Sequence, residues 1–160
     1  MASDFPTGTI TYLFTDIEGS TTLWERLPEV MPRAMAAHDA IIEGAVAEAG
    51  GQIVRPRGEG DSRFAVFTRA DGAARAAAAI QTTLIAGIPD MPDPLVARIG
   101  IHTGSADWRD GDYYGSAVNR CARIRGLAHG GQVLLSQATA ELVRDALPGA
   151  TFVGFTGTPV

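Results

Sequence analysis

Apolar and small polar residues alternate over residues 9–15, Thr-Ile-Thr-Tyr-Leu-Phe-Thr, and this period of two predicts a β-strand. The period changes at Gly19-Ser20-Thr21, where Leu23, Trp24 and Leu27 recur at helical spacing until Pro28 stops them. Met35, Ile41, Ile42, Val46 and Ala49 fit a second helix from Met31 to Ala49, ended by Gly50-Gly51. Gln52 to Arg55 and Arg63 to Thr68 read as short strands. Between them runs the Gly-rich turn Arg57-Gly58-Glu59-Gly60-Asp61, and the spacing predicts a hairpin. Ala70 to Ile88 is an alanine-rich helix whose small faces suit close packing on a sheet. Leu95 to His102 reads as a strand and Asp112 to Ala128 as a loop entering a helix. Gln132 to Leu135 then gives a strand and Gln137 to Leu147 a last helix. The order β-α-α-β-β-α-β-α-β-α predicts an α+β sandwich with a mostly antiparallel sheet, not a doubly wound parallel one. One domain is expected over residues 1–150, with a tail over 151–160 that carries no clear period.

Composition narrows the function classes. With 160 residues and a 46% hydrophobic share, the chain suits one domain with a substantial core. A net charge of -5 argues against a nucleic-acid or membrane surface, because a polyanion favours a basic face. A small anionic substrate remains compatible if metal ions carry positive charge locally. The lone Cys121 excludes an intrachain disulfide framework and fits a reducing compartment. It reads as a small core residue. The start MASDFPTG lacks a basic stretch followed by an apolar one, and no apolar run approaches the roughly 18 residues of a membrane span. A cytoplasmic domain is the expectation.

Three groups can carry chemistry. Asp16 ends a strand and Asp61 lies in the hairpin turn, so neighbouring strands would bring two carboxylates to one sheet edge. Hard carboxylates without His or Cys partners favour Mg²⁺ or Mn²⁺. Each aspartate alone has an ordinary reading, as a helix cap or as turn chemistry. Gly19, Ser20 and Thr21 offer backbone N–H groups at a helix start, a ready anion site, and Ser20 suits the N-cap. In "DYYGSAVNRCARI", Asp112 to Ile124, Asn119 and Arg123 are i,i+4 neighbours that project side by side. Val118, Cys121, Ala122 and Ile124 give that helix its apolar face. His38, His102 and His129 lack partners at ligand spacing and read as structural. Trp24 reads as core or interface, and Trp108 as a flank of a base pocket or of a subunit contact.

The strings FTDIEGST, GEGDSRFAVF, RIGIHTG and DYYGSAVNRCARI, in this order, resemble the class III nucleotidyl cyclase catalytic domain over roughly residues 8–147. Within it they are most similar to bacterial adenylate cyclases joined to regulator domains. The resemblance implies a ferredoxin-like α/β sandwich and conversion of ATP to 3′,5′-cyclic AMP and pyrophosphate. It also implies two Mg²⁺ or Mn²⁺ ions per active site and a homodimer with its sites at the subunit interface. Asp16 and Asp61 match the metal-binding aspartates, with the Ile17 carbonyl as a further ligand. Asn119 and Arg123 match the pair that orients the ribose and stabilises the transition state. Asp112 matches the carboxylate that accepts from the adenine amino group, and Arg98 an arginine that contacts the phosphates. The chain departs from the family in two places. Arg57 stands where an adenine-selecting lysine is usual, and no lysine in these 160 residues matches the triphosphate-binding one that the family carries near its C-terminus, so the tail over 151–160 is divergent or truncated. A guanylate cyclase, and a weakly active nucleotide-binding or dimerisation module, are the alternatives.

Overall fold

The computed structural model describes residues 4–54 and 60–147. The first strand, β1 (Thr9–Ile17), lies at the centre of a five-stranded sheet ordered β2-β3-β1-β4-β7. Its neighbours are β3 (Arg63–Phe67) and β4 (Ala97–Ser105), both antiparallel to it. The outer strands are β2 (Gln52–Val54), antiparallel to β3, and β7 (Val133–Leu135), parallel to β4. The sheet is therefore mostly antiparallel, and the fold is the α+β sandwich that the element order predicts.

Because alternate residues of a strand point to opposite faces, β1 feeds two cores. Leu13 and Ile17 pack under α2 (Met31–Glu48) and α3 (Ala70–Ile85), where Ala73, Ala76, Ala77 and Ile80 are fully buried. Small alanine side chains let α3 lie close to the sheet. Ile10, Tyr12 and Phe14 face the other way, toward Ala117, Val118 and Cys121 of α4 (Ser116–Leu127). The remaining helices are short, α1 (Ser20–Arg26) and α5 (Gln137–Val143), the latter capped by Ser136 Oγ, which accepts from the Thr139 N–H.

Helix α4 carries candidate site residues, and the sequence of β4 fixes where it sits. A Cβ on Gly100 would clash with the Arg125 backbone N and stand 2.7 Å from Arg125 Cα, and one on Gly104 would meet Ala117 Cβ at 2.9 Å. Two glycines four residues apart thus form a groove that receives the helix. Cys121 is pinned in the same contact, its thiol donating to the Tyr12 and Gly100 carbonyls at 3.3 Å each. Burial pushes that thiol up to about 12, so it is an inert core group, as the sequence predicts. Gly100→Ala must push the α4 backbone away from the sheet. Overpacking of this kind costs about 1–3 kcal/mol. A thermal melt should show the loss as a midpoint lower by several degrees, and an unchanged midpoint would show that the helix seat is not tight.

One element differs from the sequence expectation. Residues 107–114 form a two-stranded ribbon, β5 (Asp107–Arg109) and β6 (Asp112–Tyr114), where a loop is expected from Asp112. The physical reason is local. Asp110 (φ 52°) and Gly111 (φ 77°) both take the left-handed region that a two-residue hairpin turn with positive φ requires. The ribbon buries Tyr113 against Tyr12 and Phe64, and Phe5 stacks on Trp108 at 4.6 Å. Trp108 is therefore anchored within its own chain, beneath the N-terminal segment. Trp24 is 42% exposed, which removes it from the core of the single chain.

Candidate active site

The turn that bears Asp61 reaches the end of β1, next to Asp16 in the chain. The Ile17 N–H donates to Asp61 Oδ2 at 2.6 Å, so the hairpin turn reaches across to the residue that follows Asp16. This contact joins two segments 44 residues apart in sequence. Opposite Asp16 in the β1–β4 register stands Arg98. Its Nε donates to Asp16 Oδ1 at 2.7 Å and its Nη2 to Oδ2, a bidentate fork. The Asp16 carboxylate holds this guanidinium still further into its charged range, with Glu18 and Asp61 adding to the effect.

Arg125, which sequence reasoning does not single out, is the second cation here. Its Nε lies 3.5 Å from Asp16 Oδ2, its Nη1 donates to Ser62 Oγ at 2.7 Å, and its guanidinium lies over the Phe14 ring at 5.3 Å. A signal for it exists in the sequence. Val118, Cys121 and Arg125 fall at i, i+3 and i+7, so an arginine stands on the inward stripe of an amphipathic helix.

The chain next leaves the sheet with the Glu18 N–H bonded to the Val96 carbonyl at 2.8 Å, while Glu18 Oε1 accepts from the Gly130 N–H at 3.2 Å. Gly19 (φ 69°), and not Ser20, occupies the N-cap position of α1, and no side chain caps the helix. The Ser20 cap expectation is thereby corrected: a left-handed glycine turns the chain, and Ser20 is already helical. The first amides of α1, those of Ser20 and Thr21 among them, have no acceptor within the helix.

Asn119 and Arg123 lie exposed on α4, and among the described residues neither side chain bonds to Asp16, Asp61 or Arg98. Asp112 is half-buried at the start of β6, with Oδ1 accepting from the Tyr113 N–H at 2.7 Å. Arg57, and the tail over 151–160, lie outside the described residues. His38 is fully buried, its Nδ1 3.0 Å from Asp39 Oδ1, and burial lowers its pKa. His102 lies 2.7 Å from Ser136 Oγ and is lowered too, by burial and then by Arg120. Both histidines sit within side-chain networks.

The donors at the strand end suit a hard divalent cation. Two carboxylates and a backbone carbonyl supply only oxygen, the ligand that Mg²⁺ and Mn²⁺ prefer, and leave positions for water and phosphate. Among the described residues there is no cluster of three or more His, Cys, Asp or Glu side chains, so this is not an all-protein cage.

The family model described as Adenylate and Guanylate cyclase catalytic domain matches residues 3–153, and the chain belongs to that family. An uncharacterized protein of Mycobacterium tuberculosis is 48% identical over 143 residues, covering 89% of this chain and 48% of its own length. The chain thus spans about half the length of that relative. Receptor-type adenylate cyclase B of Leishmania donovani is 33% identical over 171 residues, covering 81% of this chain and 13% of the relative. In three dimensions the chain is similar to an adenylate cyclase from Trypanosoma brucei solved in its monomeric state. The TM-score is 0.77 at 29% identity, with 88% of this chain and 78% of that one covered. Among the described residues no helix is long and apolar enough to cross a membrane.

Proposed function

We propose that the domain is an adenylate cyclase that converts ATP to 3′,5′-cyclic AMP and pyrophosphate at the interface of a homodimer. The observation that carries this reading is the Ile17 N–H to Asp61 bond, because it brings two aspartates from distant segments to one strand end. Asp16, Asp61 and the Ile17 carbonyl would hold two Mg²⁺ or Mn²⁺ ions, which when bound acidify the 3′-hydroxyl and neutralise the leaving pyrophosphate.

The protein's own groups do the rest. The 3′-oxygen attacks the α-phosphorus of the same nucleotide, the bond to the β,γ-pyrophosphate breaks, and the hydroxyl proton is released. Asn119 holds the ribose, so that the attack is intramolecular from a productive geometry. Arg123 meets the charge that grows on the α-phosphate, an interaction stronger in the transition state than in the bound substrate. Arg98 and the amides over residues 19–21 face the triphosphate, whose oxygens compete with Asp16 for the Arg98 guanidinium. Asp112 accepts from the adenine amino group, which speaks against guanine, since guanine presents a carbonyl there. The similar proteins named as adenylate cyclases support the same choice of base.

Helix geometry supports a shared site. Arg123 and Arg125 are two positions apart on α4, about 200° around the helix. Arg125 turns inward to Asp16 while Arg123 is exposed, so a partner subunit is the natural recipient of Arg123 and Asn119. Attached regulatory domains are proposed for the longer protein.

A metal-dependent turnover assay with ATP and GTP tests the reading. Cyclic AMP should form with Mn²⁺ or Mg²⁺ and stop when the metal is chelated. Preference for GTP would make the domain a guanylate cyclase, and no turnover of either nucleotide would favour the regulatory module. The same assay addresses Arg57. Lysine there recovers a compact donor to the adenine ring, and a hydrogen bond to a charged group is worth about 1.5–3 kcal/mol. Arg57→Lys should therefore raise kcat/KM for ATP over GTP by roughly tenfold. Equal values in Arg57→Lys, Arg57→Ala and the parent would make Arg57 a solvated turn residue.

A further inference from the structure

Asp16 lies on β1 and Asp61 in the turn that precedes β3, and a shared cation requires their carboxylates to be held within about 0.5 Å of the productive geometry. Besides the bond from the Ile17 N–H to Asp61, Arg125 supplies a side chain that touches both parts. Its Nη1 is committed to Ser62 Oγ, beside Asp61, and its Nε faces Asp16. That Nε is buried without a hydrogen-bond partner, so the contact with Asp16 at 3.5 Å is an ion pair and not a second hydrogen bond. The guanidinium rests over Phe14 and the backbone of the residue is seated on Gly100, which leaves the side chain little freedom.

Ser62 is held from the other face as well. Arg63 Nη1 donates to the Gly60 and Ser62 carbonyls at 2.8 Å each, and Arg63 Nη2 lies 2.8 Å from Asp39 of α2. The turn that bears Asp61 is thus tied to α2 through Arg63 and to α4 through Arg125. Only the second tie also reaches Asp16.

We propose that Arg125, acting through Ser62, is a positioning residue that locks the Asp61 turn against the Asp16 strand end and so sets the affinity of that pair for divalent cations. The inference rests on the metal reading given above. Arginine suits the task because its rigid planar fork presents Nη1 and Nε to two partners in fixed directions, whereas the ammonium of lysine is a compact point charge on a flexible stem. Charge and positioning act in opposite senses. A cation beside the site repels Mn²⁺, so deleting the charge alone would strengthen metal binding. Variants that keep the charge isolate the positioning effect.

The experiment is a Mn²⁺ titration followed by electron paramagnetic resonance of the free ion. It compares the parent with Ser62→Ala, Arg125→Lys, the double variant and Asp16→Asn, alongside metal-free thermal melts. Loss of a group that orients a metal ligand typically costs 10–100-fold in metal affinity. Ser62→Ala and Arg125→Lys should each weaken Mn²⁺ binding by about tenfold. The double variant should be no weaker than Arg125→Lys, because both remove one tie. The metal-free melt of Ser62→Ala should stay close to the parent. An unchanged Mn²⁺ affinity in Ser62→Ala, where Asp16→Asn abolishes binding, overturns the positioning role alone, and additive losses in the double variant do the same. Binding that survives Asp16→Asn overturns the metal reading and this inference with it.

Discussion

Asp16→Asn and Asp61→Asn are expected to leave a folded domain that has lost cyclase turnover on the order of a hundredfold or more. A bound metal is worth several kcal/mol to the transition state, and each 1.36 kcal/mol is about a factor of ten in rate. Asparagine is the informative replacement because it keeps one acceptor oxygen at each position. In Asp61→Asn the amide oxygen can still accept from the Ile17 N–H, which keeps the turn on the strand end. At Asp16 asparagine and alanine both remove the counter-charge from Arg98 and Arg125, but asparagine still accepts from one arm of the Arg98 fork, whereas alanine leaves both arms without an acceptor. Unsatisfied donors of this kind cost roughly 1–3 kcal/mol, and activity lost through that route would say nothing of metal. Mn²⁺-dependent turnover and a thermal melt on the same samples separate the two effects. Near-parental turnover in both asparagine variants would remove the metal assignment.

The period-two run over residues 9–15 predicts a strand but not its central place, since alternation reads as a half-buried strand whereas Thr11 and Thr15 are buried as fully as their apolar neighbours. The approach of the Asp61 turn to the Asp16 strand end required knowing that β1 and β3 are neighbours. That is a non-local fact, which the ordered motifs supplied and periodicity did not. The ribbon over residues 107–114 was legible in principle, since Asp110-Gly111 between Trp108 and Tyr113 is a strong hairpin signal. Its strands of three residues are too short to show a period, and the following helix dominates the reading. Arg125 is hidden for another reason. The apolar face of α4 reads through Val118, Cys121, Ala122 and Ile124, and an arginine beside that face looks solvated. Gly100 decides otherwise: with no Cβ on β4, the α4 backbone at Arg125 comes down onto the sheet, and the guanidinium has Asp16 and Ser62 within reach. The identity of Ser20 as a helical residue rather than a cap turned on a glycine taking the left-handed region, a choice that either residue's presence in sequence leaves open.

Mixing two inactive proteins should restore activity. On the proposed assignment Asp16→Asn would lack a metal ligand and Asn119→Ala the ribose contact, so each homodimer would carry the same defect in both of its symmetric sites. In a heterodimer one site combines both defects and the other has every group intact. With random exchange, half the dimers are mixed and half of their sites are whole, so recovery should approach about a quarter of the parental rate. Asn119 suits this test because it is exposed and its side chain bonds to none of Asp16, Asp61 and Arg98, so alanine there should leave the strand end undisturbed. The orientation of α4 makes the expectation specific. To deliver Asn119 or Arg123 to its own Asp16, the helix would have to rotate about its axis, withdraw Arg125 from Ser62 and unseat Cys121 from the Tyr12 and Gly100 carbonyls. A second subunit supplies the same groups without that disruption. Heterodimers demonstrated by native mass spectrometry, yet without turnover, would place the whole site within one chain and require that rotation after all.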